Sequence, residues 1–438
     1  MVSNGTGTLW VAIIGAGPAG YYTAESLTKG EADVRVDIID RLPTPYGLIR
    51  AGVAPDHQSI KNVSRRYAAT NDRENVRFVG NLMLGRDISL TELKDLYDVV
   101  ILATGAPADR PLGIKGSDLT GVYGSGAFVG WYNSHPDYCD LDPDLRIASV
   151  AVIGNGNVAV DVARILAKTS SEMAETDLAE HAADSIHGST IKDIYVLGRR
   201  GPLEAAFTPK ELSELNQMEN CVALVDEAQL PSTDNDADLT GALKKNMVHL
   251  RAMGNNKPDD KPVRLHIKFY LRPAEIMGDG SVCCIKLEET RVEDSKCIGT
   301  GIYETLPAGL IVPCIGYRTS PIEGVPYDKG RGIFTNNDGY IDDQLYCVGW
   351  ARRGPTGTIG TNKPDGVAIA AKILEEVQAG GKPGREGLNK LAKERDLRLI
   401  TFADWKKIDA AEIAAAAAGA PRAKLVDIDN MVTIADSE

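Results

Sequence analysis

The chain has no cysteine pair at CxxC spacing, no long apolar run and no excess of positive charge. Its seven cysteines stand at 139, 221, 283, 284, 297, 314 and 347. That spread excludes a CxxC redox relay and clustered thiolate ligation of an iron–sulfur group, so all seven read as reduced, structural thiols. No metal site is expected. No apolar stretch approaches the ~18 residues of a transmembrane helix, so no membrane span is expected. With Lys+Arg 48 against Asp+Glu 61 the formal net charge is −13, the wrong sign for a general nucleic-acid binder. Residues 1–8 lack the pattern of a secretory signal or a transit peptide, so a cytoplasmic location is expected. At 43% hydrophobic and 25% charged the composition is that of an ordinary globular protein. A length of 438 residues allows two or three domains.

What is present is a pair of glycine-rich turns. Gly15-Ala16-Gly17-Pro18-Ala19-Gly20 follows the apolar run Trp10 to Ile14 and opens a helix. Gly154-Asn155-Gly156-Asn157-Val158-Ala159 follows Val150 to Ile153 and does the same. In that context the glycines let backbone approach a pyrophosphate, whose charge the helix N-terminus stabilises. The far ends differ. The strand after the first turn ends in Asp40, an acid suited to a ribose 2′-OH. The strand after the second ends in Gly198-Arg199-Arg200-Gly201, arginines suited to a 2′-phosphate. One site therefore reads as built for an adenine dinucleotide with a free ribose, such as FAD, and the other for NADP. A protein holding both most simply moves a hydride between them. The missing CxxC pair excludes disulfide reduction.

The remaining pattern is α/β. Strands are expected at 11–14, 34–39, 99–103, 150–153, 194–197, 263–270, 281–292, 310–314 and 345–348, and helices at 19–27, 59–69, 157–168 and 367–379. Residues 41–56 are expected to be an irregular loop, because Pro and Gly are frequent there. The predicted architecture is two Rossmann-like, three-layer dinucleotide-binding domains. The NADP domain, 109–330, is inserted into a discontinuous FAD domain, 1–108 and 331–438.

The segments Leu42–Leu48, Gly52–His57, Gly154–Ala159, Gly198–Pro202 and Gly349–Trp350 with Arg353–Gly357 resemble adrenodoxin reductase and its bacterial NADPH–ferredoxin reductase relatives, in matching order from Val11 to Asn362. The resemblance implies transfer of a hydride from NADPH to FAD, then of single electrons to a ferredoxin-type iron–sulfur protein, which could feed a cytochrome P450. It implies FAD contacts at Gly15, Gly17, Ala19, Gly20, Asp40, Leu48, Leu84, Trp350, Gly357, Thr358 and Ile359. NADP contacts are implied at Arg110, Asn155, Gly156, Asn157, Val158, Arg199, Arg200, Glu211 and Gly357. His57 and Glu214 are the titratable pair it points to beside the nicotinamide. Glu211 and Glu214 share a helix face if Thr208 caps that helix. The backbone N–H groups near Thr358 and Ile359 could stabilise an anionic reduced flavin. Tyr46, where many relatives have Trp, and Thr358, where an aliphatic residue is usual, depart from the pattern. A monomer is expected. Basic candidates for docking an acidic ferredoxin are Lys61, Arg65, Arg66, Lys244, Lys245 and Arg251. The competing readings are an NADPH-dependent flavin oxidase or quinone reductase without a protein partner, and a non-catalytic flavin- and NADP-binding sensor.

Overall fold

Short apolar runs alternating with helical segments favour parallel strands, because a sheet covered on both faces takes apolar residues at every position. In the structure, a computed structural model describing residues 7–437, those runs are strands. In chain order the main elements start with β1 (Leu9–Ile14), α1 (Pro18–Leu27), β2 (Val34–Ile39), α2 (Ser64–Asn71), β3 (Val76–Val79), α3 (Leu90–Leu96) and β4 (Val99–Leu102). They continue with α4 (Ser125–Tyr132), β5 (Ser149–Ile153), α5 (Asn157–Ala167), β6 (Asp193–Leu197), α6 (Pro209–Glu214), β7 (Cys221–Val225), α7 (Gly241–Gly254) and β8 (Val263–Lys268). Then come β9 (Leu271–Asp279), β10 (Ser281–Glu293), β11 (Lys296–Pro307), β12 (Leu310–Pro313), β13 (Tyr340–Asp342) and β14 (Leu345–Cys347). Helices α8 (Trp350–Arg353), α9 (Asn362–Glu376), α10 (Gly384–Glu394), α11 (Phe402–Ala414) and α12 (Ile428–Asp436) close the chain. No helix among the described residues is long and apolar enough to cross a membrane.

The chain divides into two compact units. The first holds the described residues up to Val53, His57–Ala108, and those from Gly316 onward. Its sheet runs β13-β14-β4-β1-β2-β3 and is parallel except for the β13–β14 pair. Strand order reverses between β1 and β4, the place where open α/β sheets hold ligands. Helices α1 and α9 pack closely, since a Cβ on Gly366 would lie 2.8 Å from Thr23 N. Trp405, Ile408 and Met431 bring α11 and α12 into the core of Val11, Ile13 and Val36.

The second unit holds Ala54–Asp56 and Asp109–Ile315. Its sheet, β12-β5-β6-β8-β7, is parallel throughout, with the reversal between β5 and β12. An antiparallel sheet, β9-β10-β11, packs Ile276, Ile285 and Leu287 into one core with Ala151, Ile153 and Ile311.

Several boundaries differ from expectation: Ala54–Asp56, predicted within the first unit, belongs to the second, and the helix predicted at 367–379 runs Asn362–Glu376. The chain re-enters the first unit at Gly316, ahead of the predicted 331. There the buried Thr319 donates from Oγ1 to Gly105 O at 2.8 Å, Tyr327 OH donates to Thr319 O at 2.6 Å, and Phe334 joins the core of Leu102 and Cys347. The 41–56 loop contains a helical turn, Leu48–Ala51, anchored by Ile49, which is buried. The predicted 59–69 helix is two pieces, Gln58–Lys61 and Ser64–Asn71.

Candidate functional site

Each glycine of the first turn has its own physical reason. Gly15 has φ +117°, and a Cβ there would collide with Ala103 O. A Cβ on Gly20 would collide with Gly15 O. These two positions are closed by the protein's own packing. Gly17, the N-cap of α1, faces open space, with nothing within 4 Å of a built Cβ. Pro18 opens the helix without sacrificing a needed N–H. The turn is thus a cradle with room at the helix N-terminus, which suits a pyrophosphate. Ala19 is buried beside it. Asp40 stands at the end of β2, its Oδ2 accepting from Ala16 N at 2.8 Å and its Oδ1 from Leu42 N at 3.0 Å. Burial pushes its pKa up, with the two N–H donors acting in the opposite sense.

Other predicted positions of this unit are spread over several of its elements. Tyr46, at φ 83°, donates its N–H to Ala16 O at 2.8 Å, and its ring packs among Tyr21, Tyr67 and Trp405. Leu48 is 48% exposed although apolar, as a ligand-facing side chain would be. Leu84 packs partly buried against the core and His57 is buried. Trp350 stacks on Tyr317 at 6.1 Å and 17°, and its Nε1 donates to Thr356 O at 3.1 Å. Gly357 needs its φ of +80°. One expected anion donor is already engaged, because Thr358 N donates to Thr361 Oγ1 at 3.0 Å. Ile359 packs partly buried on the core.

The second turn repeats the logic with one change. Gly154 has φ +138° and a Cβ there would meet Cys314 O, whereas Gly156, the N-cap of α5, faces open space. The third position is Ala159, fully buried, and Val158 packs partly buried beside it. Asn155 lies against Gly198, and its Oδ1 is buried without a hydrogen-bond partner, an acceptor fitted to a ligand donor. Asn157 Oδ1 accepts from Thr208 N at 2.8 Å, so that oxygen holds the protein's own chain. At the far end, Arg199 O accepts from Thr290 Oγ1 at 2.8 Å and from Cys297 Sγ at 3.0 Å, and Arg200 O accepts from Tyr270 N at 3.2 Å. The backbone of the pair is therefore pinned. Arg199 is exposed and Arg200 half-buried, and no ion pair occupies either among the described residues. A 2′-phosphate is the kind of anion two such guanidinium groups fit.

Sequence reasoning missed Arg164. It is fully buried on α5 and reaches Asp56 at 2.8 Å, Asp161 at 2.8 Å, Glu211 at 3.4 Å and Glu214 at 3.3 Å. Lys168 adds a second cation on Asp56 at 2.8 Å. Burial opposes ionisation of Asp56, but Arg164 and Lys168 outweigh it and hold the carboxyl well below its usual range. Glu211 and Glu214 thus do share a face, and that face is turned to Arg164. Thr208 takes the N-cap position of α6 without a side-chain cap bond. The available signal was one arginine within the otherwise apolar stretch Val162–Ala167. Arg110 is half-buried and follows Asp109, whose carboxylate accepts from Gly126 N at 2.8 Å at the start of α4. Two docking candidates are already paired, Arg66 with Glu25 at 2.8 Å and Arg251 with Asp236 at 2.6 Å.

Known proteins share this arrangement. Residues 10–196 match the family described as pyridine nucleotide-disulphide oxidoreductase. The mitochondrial NADPH:adrenodoxin oxidoreductase of Arabidopsis thaliana is 38% identical over 98% of this chain and 95% of its own length. The NADPH-ferredoxin reductase FprA of Mycobacterium leprae is 40% identical over 97% of this chain and 98% of its own. The solved structure of Mycobacterium tuberculosis FprA in complex with NADPH superimposes with a TM-score of 0.94 at 38% identity, covering 98% of this chain and 100% of that one. With two glycine cradles of matching design and identity at this level along the whole length, the chain belongs to the family of the NADPH:adrenodoxin oxidoreductases and NADPH-ferredoxin reductases.

Proposed function

We propose that the protein is an NADPH:ferredoxin oxidoreductase that holds FAD in the first unit and NADPH in the second. The observation that carries this reading is the pair of open cradles at Gly17 and Gly156, whose strands end in an acid on one side and two arginines on the other. Bound FAD supplies the conversion of a two-electron hydride donor into a one-electron source. The chain's residues bind and orient. Gly17 and Gly156 admit pyrophosphates to helix N-termini, Asp40 accepts from a ribose hydroxyl, and Arg199 with Arg200 neutralises the 2′-phosphate. Asn155 Oδ1 accepts a hydrogen bond from the nucleotide. Trp350 and the glycines around 357 leave a flat surface for ring stacking. In this reading Arg110, Val158 and Glu211 contact NADP, Leu48, Leu84 and Ile359 contact FAD, and His57 and Glu214 each position and tune charge near the nicotinamide. Hydride transfer itself needs no general base, so neither is assigned a proton.

The finer parts of the proposal are that the enzyme is a cytoplasmic monomer and that its ferredoxin serves a cytochrome P450. Rapid-mixing reduction of the purified protein by NADPH and by NADH, followed by reoxidation with ferredoxin, with quinones and with oxygen, tests the function. Fast bleaching by NADPH and preferential reoxidation by ferredoxin are expected. Faster turnover with quinones or oxygen than with every ferredoxin of the same cell would favour a diaphorase.

A further inference from the structure

Cys283 and Cys284 are adjacent on β10, and their Sγ atoms lie 3.4 Å apart. A regular strand sends consecutive side chains to opposite faces, so neighbouring thiols ordinarily diverge. Here the β9–β10 ladder slips. Met277 pairs with Cys284 and Gly278 with Val282, which leaves Cys283 as the extra residue of a bulge. Bulges re-aim side chains, and this one brings the two thiols together. Cys283 O accepts from Ala308 N at 3.1 Å, so the bulged backbone is held in place. Cys283 is exposed and Cys284 partly buried, so the pair is open to solvent. Directly across the ladder from Cys284 stands a third sulfur, that of Met277.

We propose that Cys283, Cys284 and Met277 form a binding site for a soft monovalent metal ion, copper(I). Two sulfurs on one metal sit at most about 4.6 Å apart, twice a typical metal–sulfur bond of ~2.3 Å, so one ion reaches both thiols without moving the strand. Two thiolates and a thioether match copper(I), whereas structural zinc takes four ligands drawn from cysteine and histidine. On binding, each coordinating thiol gives its proton to solvent, two S–H bonds are exchanged for two S–Cu bonds, and the metal keeps its oxidation state. The other five cysteines stand singly and offer no such chelate.

The test is anaerobic titration of the full-length flavoprotein with copper(I) in competition with a chromogenic copper(I) chelator. One equivalent is expected to bind in competition with the chelator. Cys283→Ser and Cys284→Ser each lose that equivalent while flavin content and thermal unfolding stay as in the parent. Met277→Leu weakens binding about tenfold, the lower end of what losing a supporting group costs a metal site. Failure of the parent to compete with the chelator, or an unchanged equivalent in the double serine variant, would overturn the proposal. An unchanged affinity in Met277→Leu would overturn its three-sulfur form.

Discussion

At the scale of single residues, charge gives testable expectations for nucleotide preference and for the second unit's response to acid. Arg200 carries no ion pair among the described residues, so its replacement disturbs little besides a bound anion. Arg200→Ala should weaken NADPH binding by ~1.5–3 kcal/mol, the worth of one charge-assisted hydrogen bond, and leave NADH nearly untouched. Steady-state kinetics with both nucleotides reads this directly, and equal losses would remove the residue from phosphate recognition. Arg164 is the opposite case. It is fully buried among four carboxylates, and Arg164→Gln should destabilise the second unit by about 3–5 kcal/mol through the acids left without their cation. A drop in thermal unfolding temperature measures it. Asp56 is one of the groups that contribute to the acid side of the pH dependence. Its carboxyl is depressed in the folded protein, so the unfolded chain takes up the proton first. The stability it contributes is present above about pH 4 and is lost as pH falls below that toward the folded value. Asp56→Asn should therefore show a flatter loss of stability between about pH 5 and pH 2 than the parent.

At the scale of elements, the two glycine turns separate folding from binding. Gly15→Ala and Gly154→Ala each force a side chain into a positive-φ conformation and against a carbonyl oxygen, so both should reduce the yield of folded protein. Gly17→Ala and Gly156→Ala meet no protein atom within 4 Å, so both should fold with near-parent melting temperatures. The first should then purify with less flavin and the second should raise the KM for NADPH. Flavin absorbance and nucleotide kinetics distinguish the four variants, and full flavin in Gly17→Ala would deny that cradle to the pyrophosphate. These turns were legible in the sequence because strand, turn and helix are neighbours along the chain and each obeys a local rule. Asp56 with Arg164 was not legible, since 108 residues separate them and only the folded backbone brings them together. The same holds for the β10 bulge. A register slip belongs to two strands at once, and neither strand's pattern of side chains records it. The return at Gly316 went unseen because it rests on hydrogen bonds of Thr319 and Tyr327, residue types that signal nothing by themselves.

At the scale of the whole molecule, a net charge of −13 sets a condition on any acidic protein partner. Docking of such a partner must rely on local basic groups, of which Arg66 and Arg251 are already neutralised by Glu25 and Asp236. The KM for ferredoxin should rise steeply between low salt and about 0.15 M, where the screening length falls to ~8 Å, while bleaching of the flavin by NADPH changes far less. Parallel salt dependence of the two half-reactions would argue against electrostatic docking.

The insertion of one unit into the other has a consequence for synthesis. All strands of the second sheet lie before Ile315, whereas the first sheet still lacks β14, which begins at Leu345, thirty residues later (345 − 315). A nascent chain therefore completes the second unit's sheet while the first unit's sheet, begun first, is still missing its β13–β14 hairpin. Domains fold as units during translation. The half that is started first is finished last.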